Sequence, residues 1–210
     1  YSNLEKIFKK LKKKINIIIH CAAQPSHDYG KKFPILDFDI NAKGTLNMLE
    51  LTKLHCPDAV FIHMSTNKVY GDNPNQLNIL EKSERWDLKK TDINYRGIKE
   101  NFSIDKCTHS FFGVSKVYSD LIAQEYGLNI GLKTSIFRGG CITGPNHSGA
   151  KLHGFLSYLV KSSLSKKNYS IFGYKGKQVR DNIHSHDLVQ CFWNYFQKPS
   201  IGEVYNIGGG

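Results

Sequence analysis

The segment HSFFGVSK, residues 109–116, places Lys116 four residues after Phe112, one helical turn, so the two side chains share a face. A phenol at position 112 could trade protons with a hydroxyl while the lysine lowered its pKa; a phenyl ring cannot. Three side chains offer a replacement. Tyr95 and His109 qualify if the segment between them folds over a pocket, and Tyr70 is a more distant candidate. Tyr118 lies two residues beyond Lys116, about 200° around the helix, and points elsewhere.

Metal chemistry has weaker support. His184 and His186 share a face if their segment is a strand, but no Cys, Asp or Glu recognisably completes a site with them. His186 or Asp187 reads better as the cap of the following helix, DLVQCFWNYF, on which Trp193 and Phe196 are core candidates. The five cysteines, Cys21, Cys56, Cys107, Cys141 and Cys191, include no C-x-x-C pair. That argues against a zinc site or a disulfide framework and for a reducing, cytoplasmic setting.

The elements that must carry these residues alternate along the chain. A lysine-rich helix over residues 4–14 leads into INIII, a strand apolar on both faces and so expected to be buried. A loop containing Pro25 and Gly30 follows, then a long helix over 34–55 with Ile40, Leu46, Met48, Leu49 and Leu51 in its apolar stripe. AVFIHM, 59–64, is a second buried strand. The polar stretch 71–107 is too long for a plain connection and is expected to cover a site. A helix carrying Ser115 and Lys116 runs to about residue 126, and TSIF, 134–137, is a third strand. Strands alternating with helices predict an α/β fold with a doubly wound parallel sheet, whose ligands bind at the carboxyl ends of the strands. The residues after the three strands are His20–Gln24, Ser65–Asn67 and Arg138–Gly140, all small or polar as a pocket rim requires.

Composition sets the outer bounds. The chain has 210 residues, 40% hydrophobic and 22% charged, enough for one sizeable core. Its net charge of +11 comes from 29 Lys+Arg against 18 Asp+Glu. Many of the lysines fall in runs such as KKLKKK, which read as a solvated helix face rather than a nucleic-acid surface. The excess suits a phosphate-bearing small substrate. No apolar run approaches the roughly 18 residues of a membrane helix, so no membrane partner is expected.

HCAAQPS, NAKGTLNMLE, MSTNKVYG, SK, RGGCITGPN, GYKGKQVRDNIHSHDL and GEVYNIGGG, in that order, resemble the successive motifs of the extended short-chain dehydrogenase/reductase family, in the group of nucleotide-sugar epimerases and dehydratases. TGPNHSGAKLHGF and FGYKGKQVRDNIH look most like the CDP-paratose (CDP-tyvelose) 2-epimerase branch. The resemblance implies a Rossmann-like sheet, bound NAD, and a CDP-linked dideoxyhexose as the nucleotide-sugar substrate. It also implies transient oxidation of a sugar carbon followed by return of the hydride to the opposite face. In that family a tyrosinate is the base, a lysine tunes it and holds the nicotinamide ribose, and a Ser or Thr hydroxyl orients the substrate.

Carried onto this chain, the resemblance implies Thr66 and Lys116 as catalytic residues, with Phe112 where the tyrosine should stand. It implies Ala22, Ala23, Asn41, Ser65, Lys116, Arg138 and Gly139 beside the cofactor, and Gln24, Asn67, Asn146, His147, Ser148, Gln178 and Arg180 beside the substrate. Arg180 falls on the pyrophosphate position, where a guanidinium binds two oxygens at once. Residues 1–145 would form part of the NAD-binding domain, and 146–210 part of a substrate-binding region interleaved with its sheet. No G-x-x-G-x-x-G turn precedes His20, so the chain reads as a fragment lacking the N-terminal strands and part of the substrate lobe, expected to bind NAD weakly alone. A homo-oligomer, dimer or tetramer, paired through the helices at 34–55 and 113–126, is a further implication. Two other functions remain open: another epimerase or dehydratase reaction, although Asn67 and Lys68 replace the Asp-Glu pair of dehydratases, or a non-catalytic nucleotide-sugar-binding relative.

Overall fold

A computed structural model of the chain describes residues 1–150 and 154–209. The first half holds α1 (Ser2–Leu11), β1 (Ile17–His20), α2 (His27–Lys32), α3 (Pro34–Phe38), α4 (Gly44–His55) and β2 (Val60–Thr66). A hairpin of β3 (Ile79–Glu81) and β4 (Trp86–Leu88) precedes α5 (Ser110–Leu128) and β5 (Lys133–Gly139). Then come β6 (Cys141–Thr143), α6 (Phe155–Leu164), β7 (Asn182–His184), α7 (Ser185–Gln197) and β8 (Glu203–Ile207).

The apolar runs form a four-stranded sheet in the order β1-β2-β5-β8, parallel throughout. Strand alternation sends Phe61 and Ile136 to one face, where they pack with Phe8, Leu49, Leu51 and Ala123 from α1, α4 and α5. Val60, Ile62 and Phe137 face the other way, against Leu188, Phe192 and Tyr195 of α7. With helices on both faces, this is the expected doubly wound α/β fold. Each fully buried Phe or Leu contributes about 1.5–3 kcal/mol.

Several local expectations change. Ile19 is 47% exposed, so β1 is not buried on both faces: it pairs only with β2, and the core on that face reaches no farther than Ile17. Ile40 is 38% exposed, because a π turn at Asp39–Lys43 shifts the helical phase and brings Asn41 and Ala42 inward instead. The stretch with Pro25 and Gly30 is not a plain loop. Ser26 Oγ accepts the Tyr29 N–H at 3.2 Å and caps α2. At Gly30 a Cβ would stand 2.8 Å from Asp37 Oδ1 and 3.3 Å from the Phe112 nitrogen, so glycine lets α2 seat directly on α5. The cap of α7 is His184, whose Nδ1 accepts the His186 N–H at 3.1 Å, rather than His186 or Asp187. Trp193 is exposed and Phe196 only packs at the core margin; Leu188, Phe192 and Tyr195 are the buried residues of that helix.

Candidate active site

Because parallel strands all present their carboxyl ends at one edge, β1, β2 and β5 deliver their last residues to a single place. A cavity of about 1200 Å³ opens there. Ser65 and Thr66 close β2, Gly139 closes β5, and Lys116 comes from α5 behind them; all four line the cavity. So do Ala23, Asn67, Asn146, His147, Gln178 and Arg180. Ten of the expected site residues are thus brought together from five separate stretches of the chain.

Five are not. Cys21 and Ala23 line the cavity, whereas Ala22 between them does not, as alternation in an extended segment dictates. Gln24 and Asn41 lie beneath the surface, 8% and 1% exposed, in a closed polar network. Asn41 Oδ1 accepts the Gln24 N–H at 2.8 Å and its Nδ2 donates to Ser115 Oγ at 3.0 Å, while Asp37 accepts from Gln24 Nε2 and Ser115 Oγ, each at 2.5 Å. Asn41 thus holds the loop after β1 through both of its amide atoms, and the network shapes that loop from beneath the cavity. Replacing Asp37 by alanine strands the amide and hydroxyl donors and is expected to cost about 1–3 kcal/mol in urea unfolding. Ser148 also lies outside the lining.

Arg138 is the fifth, and its donors are all engaged elsewhere. Nε and Nη2 bind Asp120 at 3.0 and 2.8 Å, and Nη1 donates to the Tyr70 hydroxyl and the Glu100 carbonyl, both at 2.9 Å. The guanidinium braces the end of β5 from within. Ser65, although in the lining, donates its hydroxyl to the same Asp120 at 2.5 Å.

The chemistry-bearing groups have defined settings. Lys116 is 4% exposed and donates to the Met64 carbonyl at 2.8 Å. Burial lowers its pKa to about 8, with Asp120 and Cys21 opposing the shift. Thr66 Oγ1 accepts the Lys68 N–H at 3.3 Å and faces the cavity. Lys68, which sequence reasoning did not place in the site, lines it too, its pKa lowered by burial and then by the Arg180 charge. Two cations converging on one wall suit a diphosphate.

None of the three expected replacements arrives, although Tyr158 of α6 and Tyr169 contribute to the lining. Phe112 lines the cavity, and none of Tyr70, Tyr95 and His109 does. His109 Nε2 is bonded to the Val69 carbonyl at 2.9 Å, Tyr70 is buried with its hydroxyl on Asn206, and Tyr95 belongs to a stretch that contributes nothing to the lining. The stretch 71–107 therefore does not cover the site as expected. It braces neighbours instead: Glu81 pairs with Lys175 and Lys177, and the Ile98 carbonyl accepts from Asn206. The residue missed beside Phe112 is His27, the first residue of α2, which also lines the cavity; its place after β1 was the available signal. Among the described residues no group of three or more His, Cys, Asp or Glu side chains could hold a metal ion, and no helix is long and apolar enough to cross a membrane.

Residues 1–208 match the NAD dependent epimerase/dehydratase family. The chain is 30% identical over 201 residues to CDP-paratose 2-epimerase from Salmonella typhi, covering 90% of this chain and 56% of that protein. It thus spans about half the length of the curated relatives it matches. Among solved structures, dTDP-glucose 4,6-dehydratase from Bacillus anthracis in complex with NAD superposes with a TM-score of 0.71 at 26% identity, covering 100% of this chain and 55% of that one. A tyrosine-to-phenylalanine variant of UDP-glucuronic acid 4-epimerase from Bacillus cereus, bound to UDP-4-deoxy-4-fluoro-glucuronic acid and NAD, gives 0.72 at 29% identity, covering 97% and 57%.

Proposed function

Since this chain belongs to the NAD-dependent epimerase/dehydratase family, we propose that its protein inverts one hydroxyl-bearing carbon of a nucleotide sugar, with CDP-paratose and CDP-tyvelose as the interconverting pair. The observation that carries this reading is the convergence of Thr66, Lys116, Lys68 and Arg180 on one cavity. The residues present fit a dinucleotide: a buried ammonium stands on a floor of small side chains at the carboxyl ends of two parallel strands. When bound, the nicotinamide supplies a hydride acceptor that can give the hydride back. Lys116 would hold its ribose, with Ala23 and Gly139 allowing close approach. The Thr66 hydroxyl would orient the reacting sugar hydroxyl, and Asn67, Asn146 and Gln178 would bind the sugar. Arg180 and Lys68 would take the phosphates, the guanidinium binding two oxygens at once. In this assignment residues 1–145 contribute the cofactor side and 146–210 the substrate side.

A dehydratase reaction is disfavoured, because the two residues after Thr66 are Asn67 and Lys68 and neither is a carboxylate. The test is incubation of the native-length protein with NAD and CDP-paratose in deuterated water, followed by NMR. Appearance of CDP-tyvelose is the expected result; turnover of UDP-glucose or dTDP-glucose in its place would overturn the substrate assignment.

We further propose a homodimer, in a cytoplasm that keeps the five free cysteines reduced. Phe111, Val114 and Leu121 recur at helical spacing along α5 and are all exposed, beside an Ile35 that is 79% exposed on α3. Val114→Asp is expected to convert the dimer to a monomer in sedimentation velocity; an unchanged sedimentation coefficient would place the interface elsewhere.

A further inference from the structure

Hydride removal from a carbinol carbon requires a group to take the hydroxyl proton, and Phe112 cannot do so. Resting on the epimerase reading, we propose that Nε2 of His27 is the group that takes this proton and returns it. His27 lines the cavity together with Thr66, Lys116 and Phe112. Its ring stands against that of Phe112, centroids 5.0 Å apart and planes crossing at 67°, so an imidazole occupies the space beside the ring that lacks a hydroxyl.

The imidazole is oriented. Nδ1 lies 2.8 Å from Ser110 Oγ, and Ser110 Oγ accepts the Gly113 N–H at 3.2 Å. With Nδ1–H donating to Ser110, Nε2 keeps its lone pair for a substrate proton. Ser110 sits at φ +67°, a left-handed conformation that residues with a side chain rarely adopt and that collects at functional sites. Here that conformation accompanies a hydroxyl bonded to the imidazole. Two more features fix the base of α2: the Ser26 cap, and the close approach of Gly30 to the start of α5.

The charge environment suits a base. Burial lowers the His27 pKa below its ordinary 6.5, Lys68 from the turn after β2 lowers it further, and Asp28 on α2 and Asp37 on α3 oppose the shift. On α5 the groups in contact, Ser110 and Phe112, are uncharged. At neutral pH the ring is therefore unprotonated and ready to accept.

The step balances without another reagent. A bound nicotinamide would supply the hydride acceptor and donor; Nε2 of His27 would take the O–H proton as the C–H electrons leave and a C=O bond forms, and would return it to the oxygen when the hydride comes back to the opposite face, so that an alcohol of inverted configuration results with no net oxidation.

The test uses the native-length protein. His27→Asn is expected to lower kcat by at least about a hundredfold, within the range of general acid–base contributions, while CDP-paratose binding by calorimetry changes less than threefold. Adding Phe112→Tyr to His27→Asn is expected to restore at least tenfold of that loss. Without ligand or cofactor, ¹⁵N NMR of histidine-labelled protein should show His27 as the Nδ1–H tautomer, titrating below 6.5, and Ser110→Ala should weaken that tautomer preference. Full activity in His27→Asn, or an Nε2–H tautomer in the free protein, overturns the proposal. If the unaltered protein turns over none of CDP-paratose, UDP-glucose and dTDP-glucose, the epimerase reading fails separately. The assignment to His27 rests on that reading and falls with it, whereas an active parent beside an equally active His27→Asn variant overturns the assignment alone.

Discussion

Replacing Asp120 by alanine is expected to lower the unfolding free energy by about 3–5 kcal/mol, the cost of removing one partner from a buried ion pair. Asp120 and Arg138 are 1% and 5% exposed, and the carboxylate receives two guanidinium bonds as well as the Ser65 hydroxyl. Without it, Arg138 retains a full charge in a low-dielectric setting, with only the Tyr70 hydroxyl and the Glu100 carbonyl as partners. The cost falls at the ends of β2 and β5, so site geometry should suffer along with stability. Urea unfolding followed by far-ultraviolet circular dichroism measures it. A change below about 1 kcal/mol would mean that water reaches the guanidinium. The double variant Asp120→Ala/Arg138→Leu should recover much of the loss, because replacing both buried charges by apolar groups is often neutral.

The same pair shows what the sequence could and could not convey. Arg138 sits one residue before Gly139 at the end of a buried strand, where the resemblance and the carboxyl-end rule put it beside the cofactor; its actual partner is 18 residues back, on a helix face no pattern identifies. The sheet was legible because INIII, AVFIHM and TSIF are short apolar runs, and parallel strands need both faces apolar wherever helices cover them. Legibility of the strands carried the site with it. Thr66, Asn67 and Gly139 were placed by the carboxyl-end rule before any contact was known.

The misses have a common cause, which is backbone geometry set by single local interactions. A Ser26 cap turned an expected loop into a short helix and so brought His27 to the cavity. One π turn rotated Ile40 outward within a helix whose existence was plain. Lys68 is a third case: the rim read from the sequence stopped at Asn67, yet a turn of helix at Asn67–Tyr70 carries the next side chain to the cavity wall as well, near Arg180.

Lys116→Met should separate the two demands on the site most sharply, abolishing activity while making the protein more stable. Loss of the ammonium proposed to hold the cofactor ribose is expected to lower turnover by at least about a hundredfold. Stability should move the other way. Burial lowers the Lys116 pKa from 10.5 to about 8, so below pH 8 the folded protein keeps a charge that the unfolded chain accommodates more easily. A displacement of that size is on the order of 3 kcal/mol against the native state. Between pH 8 and 10.5 the unfolded chain binds more protons than the folded one, so the penalty fades as pH rises through that window and is gone above it. The advantage of the methionine variant in urea unfolding should therefore be largest at pH 7 and shrink toward pH 10.5, reduced throughout by the lost bond to the Met64 carbonyl. In the unaltered protein, activity should fall above about pH 8 as Lys116 loses its proton. A methionine variant less stable than the parent at pH 7 would mean that the ammonium is solvated through the cavity, and the stability cost assigned to it would have to be withdrawn.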